Sequence, residues 1–557
     1  MAPVYDYIIV GAGSAGCVLA ARLTADPDVK VLLLEAGPED DALEIHAPAA
    51  LNRLFQTTYD WNYRTVPQHR AAGRRIYWPR GRMLGGSSSM NAMIYIRGSR
   101  HDYQTWRDDH GCTGWTYADL MPYFLKAEDN SRGASAFHRQ GGPLKVTDTP
   151  YHSTATEAFL EAAAEQGAER NPDFNAEKQE GVGWYQVTQH KGRRWSAADA
   201  YLRPASTRPN LTIRTNALVT KIQIANDTAA GVSYLHNGEL RTEHANAEVI
   251  LAGGAINSPQ LLMLSGVGPA DHLTSVGIDV LVDSPGVGAN LGDHPAVPVV
   301  WGTPKVKGLW EHAGPAGAAR WQLTHRGPLT SNVSESGGFV KTDDALPAPD
   351  LQWHVLPAEF RDEGLADPAR RAMSILVTLV DVASRGRITL GSADPRHRAR
   401  IDPGYLSDPD GKDLAILLSG VKRAREFATA TAMAKVTQNE LAPGTPLKTD
   451  NELTQYVQQS LCTLYHPVGT CAMGGNSRKA SVVDPELKVR GVRNLRVVDA
   501  SVMPTVPRGN TNAPVIALAE RAADLIAGRA PLAPLDPADQ ADALLSAAAG
   551  IAGRAGG

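Results

Sequence analysis

Hydrophobic patterning separates the chain into stretches of different character. Near the N-terminus, Ile8 to Val10 is a short unbroken apolar run with β-branched residues, the pattern of a strand buried on both faces. After a break at Gly11, the residues Ala15, Val18, Leu19 and Leu23 recur at helical intervals, and Val31 to Leu34 reads as a second buried strand. Glu248 to Leu251 reads as another buried strand, and the chain comes back to the first layer through Asn494 to Asp499, a strand with an acidic end. Ser153 to Gln166 is alanine-rich with helical spacing, and Gly181 to Gln189 reads as a strand. Leu211 to Arg214 and Ala217 to Ile222 read as a pair of strands. Pro259 stands near the start of a short apolar helix, with Gly266 just past its end. From about residue 296 to 461 strand-like runs such as Ile375 to Val380 and Arg387 to Leu390 predict a separate antiparallel sheet with helices. A last helix runs from about Ala513 to Ala527, and the Ala-, Gly- and Pro-rich tail from Ala530 is expected to be mobile.

The first break carries chemistry. Gly11, Gly13 and Gly16 have the G-x-G-x-x-G spacing between a strand and a helix, and Glu35 closes the second strand about twenty residues later. One glycine permits the tight turn, one lets a pyrophosphate approach the backbone, and one lets helix and strand pack closely. The helix N-terminus offers free N–H groups to phosphates, and a carboxylate at Glu35 suits ribose hydroxyls. A glycine-rich turn in an ordinary α/β unit leaves Glu35 unexplained. The pattern predicts a dinucleotide with a free 2′-hydroxyl, as in FAD or NAD.

At 557 residues the chain is too long for one core, and at 43% hydrophobic and 20% charged it has the balance of a globular enzyme. A net charge of −4 argues against nucleic acid as a partner. Cys17, Cys112, Cys462 and Cys471 form no C-x-x-C pair, which suggests a reducing compartment and no metal site. No apolar run reaches the length of about eighteen residues that a membrane-crossing helix needs. The opening apolar segment is already the nucleotide strand, so no signal peptide is expected. The reading is cytoplasmic, with peripheral membrane contact left open.

Three ordered motifs remain. Gly81 to Asn91, with Gly85, Gly86 and three serines, runs into the apolar stretch Ala92 to Ile96, which suits close contact with a flat polar ligand better than a surface linker. Gly254 to Gly268 follows a buried strand. Tyr465-His466-Pro467-Val468-Gly469-Thr470 precedes Val498-Asp499-Ala500 and Gly509-Asn510-Thr511-Asn512. Together these resemble the signatures of the glucose–methanol–choline (GMC) family of FAD-dependent oxidoreductases over about Tyr5 to Gly528. Thr330 to Phe339 and Gln352 to Pro357 look most like the bacterial primary-alcohol and polyethylene-glycol dehydrogenases, and somewhat less like choline dehydrogenase.

The resemblance implies an α/β fold: a Rossmann-like FAD-binding domain (1–150, 200–295 and 462–530) interleaved with a substrate domain of antiparallel sheet plus helices (151–199 and 296–461), then a flexible tail (531–557). By similarity FAD would be held by Gly11, Gly13, Ser14, Ala15, Gly16, Glu35, Ala36, Arg82, Gly85, Gly86, Ser87, Asn91, Ala92, Met93, Val219, Asp499, Ala500, Asn510 and Thr511. Some members attach FAD through a histidine where this chain has Met90, so non-covalent FAD is implied.

The chain has sixteen histidines, and the motif singles out His466 as the base that removes a hydroxyl proton while hydride leaves the alcohol carbon. With an ordinary imidazole value of about 6.5 it accepts a proton near neutral pH, and the resulting cation would stabilise the developing alkoxide. Asn510 fits the partner position, with Asn512 more suited to capping the following helix. Trp353, Tyr465, His466 and Asn510 are the expected substrate contacts, with Trp310, His354 and Phe360 at the entrance. Choline-oxidising relatives carry a carboxylate shortly after a D-H-P element. Here Asp293-His294-Pro295 is followed by Ala296-Val297-Pro298-Val299, which favours an uncharged primary alcohol. The acceptor is expected to be a quinone. An oxygen-using oxidase that releases hydrogen peroxide and a non-redox flavin-containing lyase are the alternatives.

Overall fold

A computed structural model describes residues 4–537. The expected tail beyond 537 lies outside the described residues. Its beginning is tied down: Leu532 N–H donates to the Tyr123 hydroxyl at 2.9 Å and Leu535 N–H to the Ala118 carbonyl at 2.9 Å.

Two sheets organise the chain. In the first, Tyr5–Val10 lies between Val31–Leu34 and Glu239–Leu251, parallel to both. Leu211–Arg214 and Leu495–Val497 extend this layer on either side, also in parallel. Ile8, Ile9, Leu32, Leu33, Val249 and Ile250 are fully buried, which explains why these strands read as continuous apolar runs. The helices Ser14–Leu23 and Asn512–Ile526 pack against each other beside the layer. Leu211–Arg214 and Ala217–Ala225 are both strands but do not pair. The first adds to Val31–Leu34, and the second forms a hairpin with Thr228–His236.

The second sheet is antiparallel, in the order Glu440–Ala442, Pro295–Gly302, Ala372–Leu379, Leu351–Leu356, Ser336–Val340, Gly181–Trp184, with Cys462–Thr463 paired to the start of Pro295–Gly302. Arg387–Thr389 is not part of it and pairs with Arg400–Asp402 instead. Helices Thr154–Glu165 and Lys412–Thr429 cover one face of this sheet. Among the described residues no helix is long and apolar enough to cross a membrane.

The helix after Glu239–Leu251 departs from the expectation. It spans Gly254–Leu264, so Pro259 sits inside it rather than near its start. A proline there leaves the carbonyl four residues earlier without its helical donor. That carbonyl, Ala255, accepts from the Thr470 hydroxyl at 2.6 Å. The substitute donor belongs to the segment that carries His466, so this helix and the site are tied together.

Candidate active site

A cavity of about 660 Å³ opens between the sheets. From the parallel side it is lined by Gly11, Gly13, Ser14, Ala15, Glu35, Ala36, Gly86, Ser87, Asn91, Ala92, Met93, Val219, Asp499, Ala500 and Thr511. From the antiparallel side come His354, Leu356 and Phe360, and Tyr465, His466 and Asn510 lie between. Trp310 also lines it.

Four of the expected site residues are not in the wall. Gly16 acts on packing: a Cβ there would lie 1.9 Å from the Gly11 carbonyl oxygen. Gly85, at φ +83°, donates its N–H to the Ala12 carbonyl at 2.8 Å and pins the serine-rich loop onto the glycine turn. Arg82 donates to the Ala36 carbonyl at 3.1 Å and lies over the Trp61 ring. Trp353 points the other way: its ring centroid is 5.0 Å from that of Phe427 and 6.5 Å from that of Phe159. Strand alternation sends Gln352 and His354 to the cavity face and Trp353 to the helix face, which removes Trp353 as a substrate contact.

The parallel side fits a dinucleotide. Neither Ser14–Leu23 nor Asn512–Ile526 has a side-chain cap or an acidic residue in its first turn, and both N-termini border the cavity. Their free N–H groups and partial positive charge suit a diphosphate and an electron-rich ring. The Ser14 hydroxyl donates to Asn512 Oδ1 at 2.7 Å and joins the two helix starts. Asn512 thus braces a neighbour rather than capping its own helix. The buried Glu35 carboxylate is fixed by the Ala12 and Gly37 N–H groups at 2.9 and 2.8 Å, which leaves it lone pairs for ribose hydroxyls. Burial pushes its pKa up, against the pull of those two donors.

His466 is aimed by its neighbours. Tyr465 is held at φ +73°, a strained value for a non-glycine residue, with Arg80 donating to its carbonyl at 2.7 Å. The His466 N–H donates to Asp293 Oδ1 at 2.7 Å, and the Thr463 hydroxyl donates to Asp293 Oδ2 at 2.6 Å. Asn510 Nδ2 lies 3.3 Å from His466 Nε2, and His466 Nδ1 lies 3.0 Å from His294 Nδ1. Burial, then His294, His354 and Arg80, push the His466 pKa well below that of an ordinary imidazole. The resting ring is therefore held neutral. His294, Gln352, Asp293 and Arg80 went unrecognised as parts of this site. His294 and Gln352 stand beside residues that were singled out, but only strand pairing brings them to His466.

Residues 5–296 match the N-terminal GMC oxidoreductase family profile, and residues 382–519 match the C-terminal one. The chain belongs to the GMC oxidoreductase family. As a GMC oxidoreductase it is an FAD-dependent enzyme, and the two uncapped helix starts with Glu35 are the groups that would hold FAD. It is 44% identical to human mitochondrial choline dehydrogenase over 547 residues, covering 95% of this chain and 90% of that one. It is likewise 44% identical to the alcohol dehydrogenase (acceptor) of Pseudomonas putida over 539 residues, covering 95% and 97%. Among solved structures, pyridoxine 4-oxidase from Mesorbium loti superposes with a TM-score of 0.86 at 34% identity, covering 94% of this chain and 100% of that one.

Proposed function

We propose that this GMC oxidoreductase converts an uncharged primary alcohol to its aldehyde, with His466 as the base, and passes the electrons to a quinone-type acceptor. The observation that carries this is the convergence of His466 Nε2 and Asn510 Nδ2, 3.3 Å apart, in the cavity wall. A hydroxyl that reaches both from the cavity, displacing their mutual contact, donates its proton to His466 and accepts from the Asn510 amide. Bound FAD supplies the hydride acceptor. Val333, Leu356, Phe360, Leu376 and Leu464 also line the cavity and form an apolar cluster with Ala296 and Cys462. That wall suits an uncharged alcohol.

Most carboxylates of the wall, Glu44 apart, already have partners, which supports the same choice. Glu359 accepts from Ala369 N–H and Arg370, Asp499 from Gly254 N–H and Ser258, and Asp367 pairs with Arg53. Oxidation of choline is the second reading, supported by the likeness to choline dehydrogenase. Met90 offers no nucleophile for a bond to the flavin, so we take FAD as non-covalent.

An anaerobic panel of primary alcohols and choline, followed at the flavin band, separates the two substrates. The proposal expects neutral alcohols to give the larger kcat/KM, and a clear preference for choline overturns it. Quinone reduction compared with peroxide yield then decides the acceptor. Failure of every alcohol to bleach the flavin in the dark would favour a lyase.

A further inference from the structure

Side chains that line the large cavity and also reach solvent mark its mouth. Trp310 lines the cavity and is 43% exposed, and Ala313 lines it and is exposed. Both belong to the segment 304–327, which follows the strand Pro295–Gly302. This segment carries Lys305, Lys307, Arg320 and Arg326, all exposed, against one acid, Glu311. Glu311 is taken by Arg371, from outside the segment, at 2.8 Å. None of the four cations has a carboxylate partner among the described residues. The whole chain stands at −4, so this excess of positive charge is local.

The same segment exposes apolar side chains. In the helix Pro315–Thr324, Trp321 anchors one side: it is buried, and its Nε1–H donates to the Gly192 carbonyl at 2.9 Å. Ala316, Ala319, Arg320 and Leu323 recur at helical spacing on the other side and are exposed. Leu323, at 86%, is the most exposed large apolar side chain among the described residues. A lone surface leucine needs no explanation. Leu323 and Trp310, set with four unpaired cations at a cavity mouth, form the pattern of a surface that rests on a bilayer. Basic side chains meet anionic headgroups, Trp sits at headgroup level, and Leu enters the acyl boundary.

We propose that the segment 304–327 docks the enzyme on an anionic lipid surface, with the cavity mouth against it. Lys305, Lys307, Arg320 and Arg326 supply the electrostatic attraction, and Leu323 and Trp310 insert. A lipid-soluble quinone then enters the cavity past Trp310 and Ala313 without crossing water. That delivery rests on the proposed quinone acceptor, whereas the docking stands on the surface alone.

Flotation of the FAD-loaded enzyme with vesicles tests the docking. Vesicles of phosphatidylcholine with phosphatidylglycerol should carry the wild type, phosphatidylcholine alone should not, and added salt should release it. Lys305→Gln combined with Lys307→Gln should weaken the partition at least about tenfold, since each basic residue near such a surface contributes about a factor of five. Leu323→Gln should weaken it severalfold. None of these positions lines the cavity, so bleaching of the flavin by an alcohol should keep its wild-type rate, which also shows that the variants fold. Absence of binding to the anionic vesicles, equal binding to neutral ones, or binding untouched by all three substitutions overturns the docking. A dimer in solution that the same substitutions dissociate overturns it too, because a second copy would then cover this face. Reduction of a long-tailed quinone carried in the vesicles should fall with binding, while reduction of a dissolved short-chain quinone should not. A vesicle-quinone rate that holds while binding falls overturns delivery through the mouth. Reduction of neither quinone, with vesicle binding intact, overturns the quinone acceptor and leaves the docking standing.

Discussion

At the scale of single residues, the decisive property of His466 is that its surroundings keep it neutral. Only the neutral ring can take a proton, and its pKa lies well below the ordinary value of about 6.5. In its proposed role as the base, His466 therefore stays competent as pH falls through the neutral range, and kcat/KM for an alcohol should be flat between about pH 6 and 8. His294→Asp would place a carboxylate against Nδ1, favour the cation and raise that value, so the acid limb of the profile should move upward toward neutrality. Replacing His466 by Ala should slow anaerobic flavin reduction by about 10²–10⁴-fold while the protein keeps its FAD. His466 and Asn510 were legible because each lies in a short motif with little freedom around it. Trp353 was misplaced because Leu351–Leu356 is buried along both faces, and a strand of that kind carries no alternation from which to read its facing. His294 and Gln352 became visible only through pairing: Pro295–Gly302 and Leu351–Leu356 both border Ala372–Leu379.

At the scale of elements, the strand–glycine–helix unit at the N-terminus was the most readable part of the chain, because its glycines answer steric demands that local sequence states directly. Gly16→Ala places a methyl group 1.9 Å from the Gly11 carbonyl oxygen, so the helix must shift away from the turn. The variant should purify with little or no flavin absorbance, and full FAD content would contradict this packing role. The helix Gly254–Leu264 was less readable. Its proline looked like a start signal because local sequence does not show a remote hydroxyl taking over the missing bond. Thr470→Val keeps the shape and removes that donor, leaving a buried carbonyl unsatisfied at a cost of about 1–3 kcal/mol. A thermal midpoint lowered by roughly a few degrees should follow.

At the scale of the whole molecule, both sheets contribute to the cavity wall, so a ligand there ties them together. Removing FAD should lower the thermal midpoint, and adding it back at about one hundred times its Kd should restore about 2.7 kcal/mol of stability. An unchanged midpoint would argue against a cofactor shared by the two layers. The two-layer α/β plan was legible from the change in pattern near residue 296. Which strands neighbour one another was not, because strand neighbours such as Gly181–Trp184 and Ser336–Val340 are separated by about 150 residues, and local periodicity carries no memory of that distance. The most direct test of the account mixes wild type and His466→Ala anaerobically with a neutral primary alcohol and follows the flavin band. Rapid bleaching in wild type and bleaching slowed by at least about a hundredfold in the variant is the predicted result. Equal rates in the two proteins would contradict the assignment of His466 as the base.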